Sequence, residues 1–188
     1  MTATFTTSET ALPTTQEWAI DPAHTQVSFS VKHLMITNVK GRFPHVTGTV
    51  RLDPSTPEPE VDISIDATSI TTGDMKRDAH LRSADFLNAE QHPEIRFRAT
   101  RLEGNLDSKF TLYGDLSIRG VTRSVTLYVL SEGRATDPWG NAKAGYTATT
   151  RINRRDFGLE WNVALEAGGV LVGDDVKITI EVQLVRQT

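Results

Sequence analysis

The sequence has 188 residues and a formal net charge of −4, from 20 basic and 24 acidic side chains. This length is typical of one domain, and a chain with 38% hydrophobic and 23% charged residues is expected to be globular. The acidic balance argues against a large nucleic-acid-binding surface, which requires a basic stripe. Because the sequence contains no cysteine, disulfides, thiolate metal sites and a cysteine nucleophile are excluded.

The first 17 residues are rich in Thr, Ser and Ala. They lack the basic leader and the continuous apolar core of a secretory signal, and no apolar run in the chain approaches the length of a membrane-spanning helix. We therefore expect a disordered tail at residues 1–17, one domain at 18–188 and a cytoplasmic location. The alternative is an ordered strand that begins earlier, because Phe5 and Leu12 are apolar.

Beyond the tail, most of the chain alternates apolar and polar residues with a period of two, which predicts half-buried strands. The alternating segments are 27–33, 46–53, 61–67, 95–100, 110–119, 125–129, 143–152 and 176–184. Asn38 and Gly41 indicate a break between the first two segments, and Pro54, Pro57 and Pro59 indicate a loop before the third. No strand–helix–strand rhythm accompanies this pattern, so the sequence predicts an antiparallel sheet.

Two architectures fit about eight antiparallel strands. An all-β barrel is favoured over a sandwich because the predicted outer faces are polar throughout and a closed sheet leaves no exposed edge. An eight-stranded barrel is either filled by its own side chains or holds one small ligand. Small residues on the predicted inner faces would leave room for a ligand, but alternating small and large residues in a filled barrel fit the same pattern. These small residues are Gly48, Ala67, Ala99, Gly114, Ala144 and Ala148.

The segment 71–98 departs from the strand pattern. Its apolar residues Met75, Leu81, Phe86 and Leu87 follow a helical spacing, which predicts a short helical insert. The same segment carries the densest polar cluster of the chain, formed by Asp74, Lys76, Arg77, Asp78, His80 and Arg82. The insert is therefore a candidate plug, lid or active site.

Evidence for catalysis or a metal is weak in this sequence. The five histidines have no recognised ligand spacing, and the chain contains no Gly-x-Ser-x-Gly nucleophile motif. We therefore expect no metal and no other cofactor. Asp78 and His80 could act as an acid–base pair, although a role in anchoring the insert through a neighbouring arginine is the preferred interpretation.

Several motifs occur in series along the chain. They are Asp21-Pro22-Ala23-His24-Thr25, Gly41-Arg42-Phe43, Arg77-Asp78-Ala79-His80-Leu81, His92-Pro93-Glu94-Ile95-Arg96-Phe97, Gly114-Asp115-Leu116-Ser117-Ile118-Arg119-Gly120-Val121-Thr122, Arg155-Asp156-Phe157-Gly158 and Val172-Gly173-Asp174. Each motif is weak alone, whereas their order is specific. Together they resemble the YceI-like family, also called the polyisoprenoid-binding or lipid-binding YceI domain, from about Trp18 to Leu184.

The resemblance implies an extended lipocalin-like barrel that holds an isoprenoid-type or other long-chain lipid, without an established catalytic residue. It also suggests a homodimer, and many relatives carry an export signal that residues 1–17 lack. We therefore predict a non-enzymatic carrier or sequestering protein. The alternatives are an enzyme that acts on a lipid through Asp78 and His80, and a filled barrel that serves as an interaction scaffold.

On this interpretation, three groups of side chains contact the ligand. The predicted lumen lining is Phe29, Val31, Ile63, Ile65, Phe97, Leu116, Tyr146 and Ile152, together with His33 on the same apolar face. Nearer the mouth or the insert we place Phe43, Met75, Leu81, Phe86, Phe157 and Trp161. A polar head group would meet Lys76, Arg77, His80 or Arg82.

Overall fold

The structure is a computed structural model that describes residues 14–56, 58–166 and 169–187. Ten antiparallel strands and one α-helix, α1 (Met75–Arg82), dominate it. The strands are β1 (Gln16–Ile20), β2 (Gln26–His33), β3 (Thr37–Phe43), β4 (Val46–Leu52), β5 (Glu60–Asp66), β6 (Glu94–Gly104), β7 (Lys109–Ile118), β8 (Val121–Thr136), β9 (Ala142–Asn153) and β10 (Val172–Arg186). No helix in these ranges is both long enough and apolar enough to cross a bilayer.

The sheet closes on itself because β1 pairs with both β4 and β10. The long strand β10 pairs with β2 along its first part and with β1 along its last three residues. β1 and β2 are therefore two halves of one strand position, and β3 and β4, which pair with β2 and β1, form the next. Counted in this way, the ring has eight positions, which confirms the predicted eight-stranded antiparallel barrel over the sandwich.

Two strands were missing from the sequence prediction. β3 includes Asn38 and Gly41, where the sequence predicted a break. Gly41 belongs to the strand because strand pairing places the Phe29 ring directly against it. A Cβ at Gly41 would lie 2.3 Å from Phe29 Cζ, so the strand requires glycine there. β1 begins at Gln16, within the predicted tail, where Gln16 and Glu17 pair with β4. Residues 1–13 of the predicted tail lie outside the described residues.

Asp21 forms the break between β1 and β2. Its carboxylate caps the 3₁₀ turn Pro22–His24 through the Ala23 amide and lies 3.0 Å from both His24 Nδ1 and Lys143 Nζ. Burial alone would raise the pKa of Asp21, but the hydrogen bonds from Lys143, His24 and Ala23 outweigh it and lower the pKa to about 2. An ionised Asp21 therefore links the broken strand to β9.

The insert between β5 and β6 lies at one end of the barrel. Asp74 begins α1 by accepting hydrogen bonds from the amides of Lys76 and Arg77, each at 3.0 Å. Thr71, just before the helix, exchanges two backbone hydrogen bonds with Arg42 of β3. The β2–β3 turn and the connection from β9 to β10 lie at this same end, which we call the insert end. The β8–β9 turn and the β6–β7 turn define the far end.

Candidate functional site

The barrel encloses a lumen of ≈ 460 Å³. Its wall is almost entirely aliphatic and aromatic, because the inward positions of every strand carry apolar side chains. The charged or ionisable side chains at its border, apart from the phenol of Tyr146, are Lys32, His33, Arg77, His80, Arg134 and Arg154. No carboxylate side chain of the described residues borders the lumen. The lumen is therefore an apolar space whose few charged border groups are basic or histidine.

Most of the predicted binding residues border this lumen. The structure brings together Phe29, Val31, His33, Phe43, Ile63, Ile65, Arg77, His80, Leu81, Phe86, Phe97, Leu116, Tyr146, Ile152, Phe157 and Trp161. Their contact with a ligand remains a prediction. The shared location follows from strand parity, since every second side chain of a barrel strand faces inward.

Three predicted residues lie elsewhere. Met75 is 87% exposed and does not belong to the apolar side of the insert, because it lies on the solvent side of the first turn of α1. Lys76, in the same turn, is exposed as well. Arg82 instead donates to the backbone carbonyls of Thr68 and Ile70, at 3.4 and 3.2 Å. Arg82 thus ties the helix to the preceding turn.

An aromatic cluster borders the lumen at the insert end. His80 of α1 packs edge-on against Phe86 and Trp161, with ring centroids 5.1 and 4.6 Å apart. The rings of Phe86 and Trp161 are 5.3 Å apart, so the insert and the connection from β9 to β10 contact each other through side chains. Arg119 of the β7–β8 turn adds a polar link by donating to the carbonyls of Phe86 and Gly158. The insert therefore forms part of the lumen wall.

Asp78 and His80 have different hydrogen-bond partners. Asp78 Oδ1 accepts hydrogen bonds from the amide and the hydroxyl of Thr72, at 2.7 and 2.6 Å. Burial would raise the pKa of Asp78, but these bonds outweigh it and lower the pKa. His80 Nε2 lies 2.8 Å from Asp85 Oδ2 instead. Asp78 thus bonds to Thr72 within the insert, and Arg82 acts on it only through its charge.

The main charged residue at the lumen border that was missed in the sequence is the buried Arg154, which is only 4% exposed. Its guanidinium donates to the carbonyls of Gly173, Leu159 and Trp161 and lies 3.1 Å from an oxygen of Asp174. Burial lowers the pKa of Arg154, while Asp174 opposes that effect. Nothing in the sequence distinguishes it from Arg155 beside it. By contrast, Phe110, Ile178 and Ile180 also line the lumen, and the apolar–polar alternation of their strands already indicates that they face inward.

The open lumen does not arise from most of the small residues identified in the sequence. Ala144 and Ala148 line it, whereas the space beside the two glycines is already filled. A Cβ at Gly114 would lie 2.4 Å from Phe97 Cζ, and one at Gly48 would lie 2.7 Å from Ile63 Cδ1. The large neighbours thus pack over these glycines, and the free volume lies along the barrel axis.

The barrel wall is split between β8 and β9 near the insert end. Pairing of these strands stops at Tyr128 and Thr149, and a groove of ≈ 400 Å³ lies beyond that point. Val125, Thr150, Ile152 and Phe157 border both this groove and the lumen. The groove itself is polar, with Arg123, Ser124, Arg151, Asn153 and Asp156 along it.

Solved structures share this fold. The YCEI protein of Campylobacter jejuni is 29% identical, with a TM-score of 0.67 over 84% of this chain and 90% of that chain. A polyisoprenoid binding domain from Saccharophagus degradans matches with a TM-score of 0.68 over 90% of this chain and 98% of that chain. Because that domain is only 14% identical, its similarity shows the fold alone.

Sequence comparison adds the family. Protein YceI of Escherichia coli O157:H7 is 35% identical over 159 residues, which are 84% of this chain and 81% of that protein. A UPF0312 protein of Pectobacterium atrosepticum is 35% identical over 165 residues, or 87% of this chain and 82% of that protein. The model of the YceI-like domain matches residues 18–184. As the order of its motifs predicted, the chain belongs to the YceI-like domain family.

Proposed function

We propose that the protein binds a long-chain lipid of the isoprenoid type in the barrel lumen and carries or sequesters it without chemical conversion. The observation that carries this proposal is the continuous apolar lumen of ≈ 460 Å³ bordered by basic and histidine groups. The Saccharophagus domain of the same fold is named for polyisoprenoid binding, and that class of ligand suits an apolar tube.

The size of the lumen sets the scale of the interaction. At about 30 Å³ per small group, it accommodates about 15 methylene-sized groups. Each buried methylene contributes about 0.8 kcal/mol, so a filled lumen supplies a gross gain of about 12 kcal/mol. Association costs of about 4–15 kcal/mol oppose this gain, so affinity depends on how completely the chain fills the lumen. A longer chain would extend beyond the lumen and gain little more.

The polar end of the ligand is expected at the insert end. Arg77 is exposed at the edge of α1 and donates to the hydroxyl and carbonyl of Thr72, at 2.7 and 3.3 Å. His80 lies beside it on the same helix and reaches the lumen. These groups offer hydrogen bonds to a hydroxyl, carbonyl or phosphate head. Arg154 is less suited to this role because the protein's own carbonyls already occupy its donors.

Native mass spectrometry before and after organic extraction tests the proposal. We expect the protein to lose a discrete mass that matches a lipid, and the extracted protein to regain mass on incubation with farnesol. The extract is identified separately by lipid mass spectrometry. Protein that carries no lipid after purification and takes up no isoprenoid after extraction would contradict the proposal and favour the scaffold alternative.

Turnover is tested in the same samples. Binding without conversion predicts that the lipid recovered after prolonged incubation has the mass of the lipid supplied. His80→Ala should then change retention and produce no change in product. A product that forms with the natural protein and disappears with His80→Ala would instead support the enzyme alternative.

A further inference from the structure

The turn between β2 and β3 exposes large apolar side chains. Leu34, Met35 and Ile36 are 38%, 55% and 76% exposed, and Val163 nearby is 46% exposed. Two backbone hydrogen bonds connect these residues, because the Leu34 amide donates to the Leu171 carbonyl and the Leu171 amide donates to the Val163 carbonyl. We call Leu34, Met35, Ile36 and Val163 the apolar tip. A contiguous exposed group of this kind marks an interaction surface more often than isolated apolar residues do.

The backbone of this turn is unfavourable for the residues that occupy it. Leu34 and Met35 have φ angles of 51° and 61°, and the turn closes through a hydrogen bond of 3.2 Å from the Ile36 amide to the His33 carbonyl. Turns with positive φ at both central positions favour Asn and Gly, and other residues cost roughly 1–2 kcal/mol each there. Stability of the fold therefore does not account for bulky apolar side chains at these positions.

The two strands that lead into the apolar tip carry basic charges and no acidic ones. β2 and β3 contain Lys32, Lys40 and Arg42 and no Asp or Glu, although the net charge of the chain is −4 and the connection that holds Val163 carries Glu160 and Glu166. Lys32 and Lys40 lie on the two strands that lead into the tip, opposite Asn38 and Ser30 in the β2–β3 ladder. Both lysines are exposed. An apolar tip flanked by lysines complements a surface that is apolar inside and anionic outside.

The apolar tip is also continuous with the lumen. His33, which precedes the tip, and Leu171, which bonds to it, both border the lumen at the insert end. The opposite end carries a different exposed residue, Trp139 in the β8–β9 turn, which is 84% exposed. A lipid that leaves the lumen at the insert end would therefore meet the apolar tip first.

We propose that the apolar tip inserts into the surface of an anionic lipid bilayer, with Lys32 and Lys40 against the lipid head groups. Docking in this orientation places the insert end of the lumen at the membrane. A carrier docked in this way would take its lipid from the membrane, and this inference rests on the proposed function of lipid binding. Its binding energy, however, comes from the tip and the lysines and does not require an occupied lumen.

Co-sedimentation of the full chain with vesicles tests the docking surface. We expect binding to phosphatidylcholine vesicles that contain phosphatidylglycerol, weaker binding to phosphatidylcholine alone, and loss of binding in high salt. Met35→Asp with Ile36→Asp should weaken binding by at least about 100-fold, since two buried apolar side chains are replaced by charges. Lys32→Gln with Lys40→Gln should weaken it by about 25-fold, at about fivefold for each lysine.

Two further variants separate docking from folding. Leu34→Asn with Met35→Gly supplies the residues that the turn favours, so this protein should unfold at a higher temperature and yet bind vesicles less. Trp139→Asp removes an exposed aromatic residue at the far end and should leave vesicle binding unchanged. A loss of binding with Trp139→Asp that the tip variants do not share would overturn the proposal.

Absence of vesicle binding by the natural protein would also overturn it. Light scattering over a concentration series tests whether a second copy of the chain covers the tip instead. A dimer that the tip variants dissociate, in a protein that does not bind vesicles, would assign the tip to that second copy. Lipid retention is measured separately by native mass spectrometry. Retention without vesicle binding rejects only the docking surface, whereas vesicle binding by a protein that retains no lipid rejects only the lumen proposal.

Discussion

Substitution of Ala148 by leucine tests whether the lumen is the ligand site. Ala148 lies on β9, is 5% exposed, and faces the lumen between Val129 of β8 and Ile180 of β10. Leucine adds three methyl-sized groups there, or about 90 Å³ at about 30 Å³ per group. The lumen of ≈ 460 Å³ would thus lose about a fifth of its volume.

Ala148→Leu is expected to lower the affinity for the ligand and to leave the free energy of unfolding nearly unchanged. A chain that fills the natural lumen loses room for about three methylene groups, which amounts to about 2.4 kcal/mol or about 60-fold in affinity. Because the added groups enter open space, the free energy of unfolding should change by less than about 1 kcal/mol. In a filled barrel the same substitution would overpack the core and cost about 1–3 kcal/mol of stability.

The assay compares two isoprenoid alcohols. Farnesol is long enough to fill the lumen and should bind Ala148→Leu more weakly, while the shorter geraniol fits in the reduced space and should bind both proteins alike. Thr149→Leu is the matched control, because Thr149 is the next residue on β9 and is exposed. Equal farnesol affinity in the natural protein and in Ala148→Leu would refute the assignment. An equal loss of affinity for farnesol and geraniol in Thr149→Leu would refute it as well.

Three other predictions concern the parts that support the lumen. Leu81→Asp or Phe86→Asp should reduce both lipid retention and thermal stability because each places a charge at the lumen wall, whereas the exposed Met75→Asp should change neither. Arg154→Met should destabilise the protein in a denaturant titration, since it leaves the carbonyls of Gly173, Leu159 and Trp161 without their buried donor at about 1–3 kcal/mol each, while Asp174 keeps its bond from Arg155. Asp21 has its pKa lowered from 3.8 to about 2, so its ionised form stabilises the fold above pH 3.8 and this contribution disappears as the pH falls toward 2. Unfolding curves should therefore show Asp21→Asn to be about 2 kcal/mol less stable at neutral pH, with the difference vanishing in acid; a difference that is constant with pH would rule out this account.

The barrel was predictable because alternation reports which side of a strand is buried. In β10 every second residue from Val176 to Leu184 is apolar and borders the lumen, so this inward set could be predicted before the closure of the sheet was known. β3 was missed because glycine usually weakens a strand. Its Gly41 is accounted for only by the Phe29 ring that packs on it from the neighbouring strand, and this contact is not visible in the local sequence.

The candidate site was harder to predict than the barrel for a related reason. α1 has only eight residues, and which of its turns reaches the barrel is decided by contacts outside it. Its last turn contacts the lumen through His80 and Leu81, while its first turn exposes Met75. Arg154 is a stronger example, because its role depends on carbonyls from the connection that follows it in sequence. Periodicity carries no information about such contacts.

The two ends of the lumen differ in a way that bears on how a lipid would enter. Arg134 borders the lumen at the far end, but Asp107 lies 2.8 Å from it and neutralises its charge. At the insert end, the Arg77 side chain donates to neutral oxygens of Thr72 and interacts with Asp74 from beyond ion-pair distance, so its remaining donors are available to a polar head. A head group held by Arg77 at the insert end directs the tail toward the far end. A lipid that enters through the insert end must therefore enter with its tail first. Tail-first entry from a bilayer requires the mouth to reach the acyl layer, and an apolar tip that inserts bulky side chains below the head groups brings the mouth to that depth.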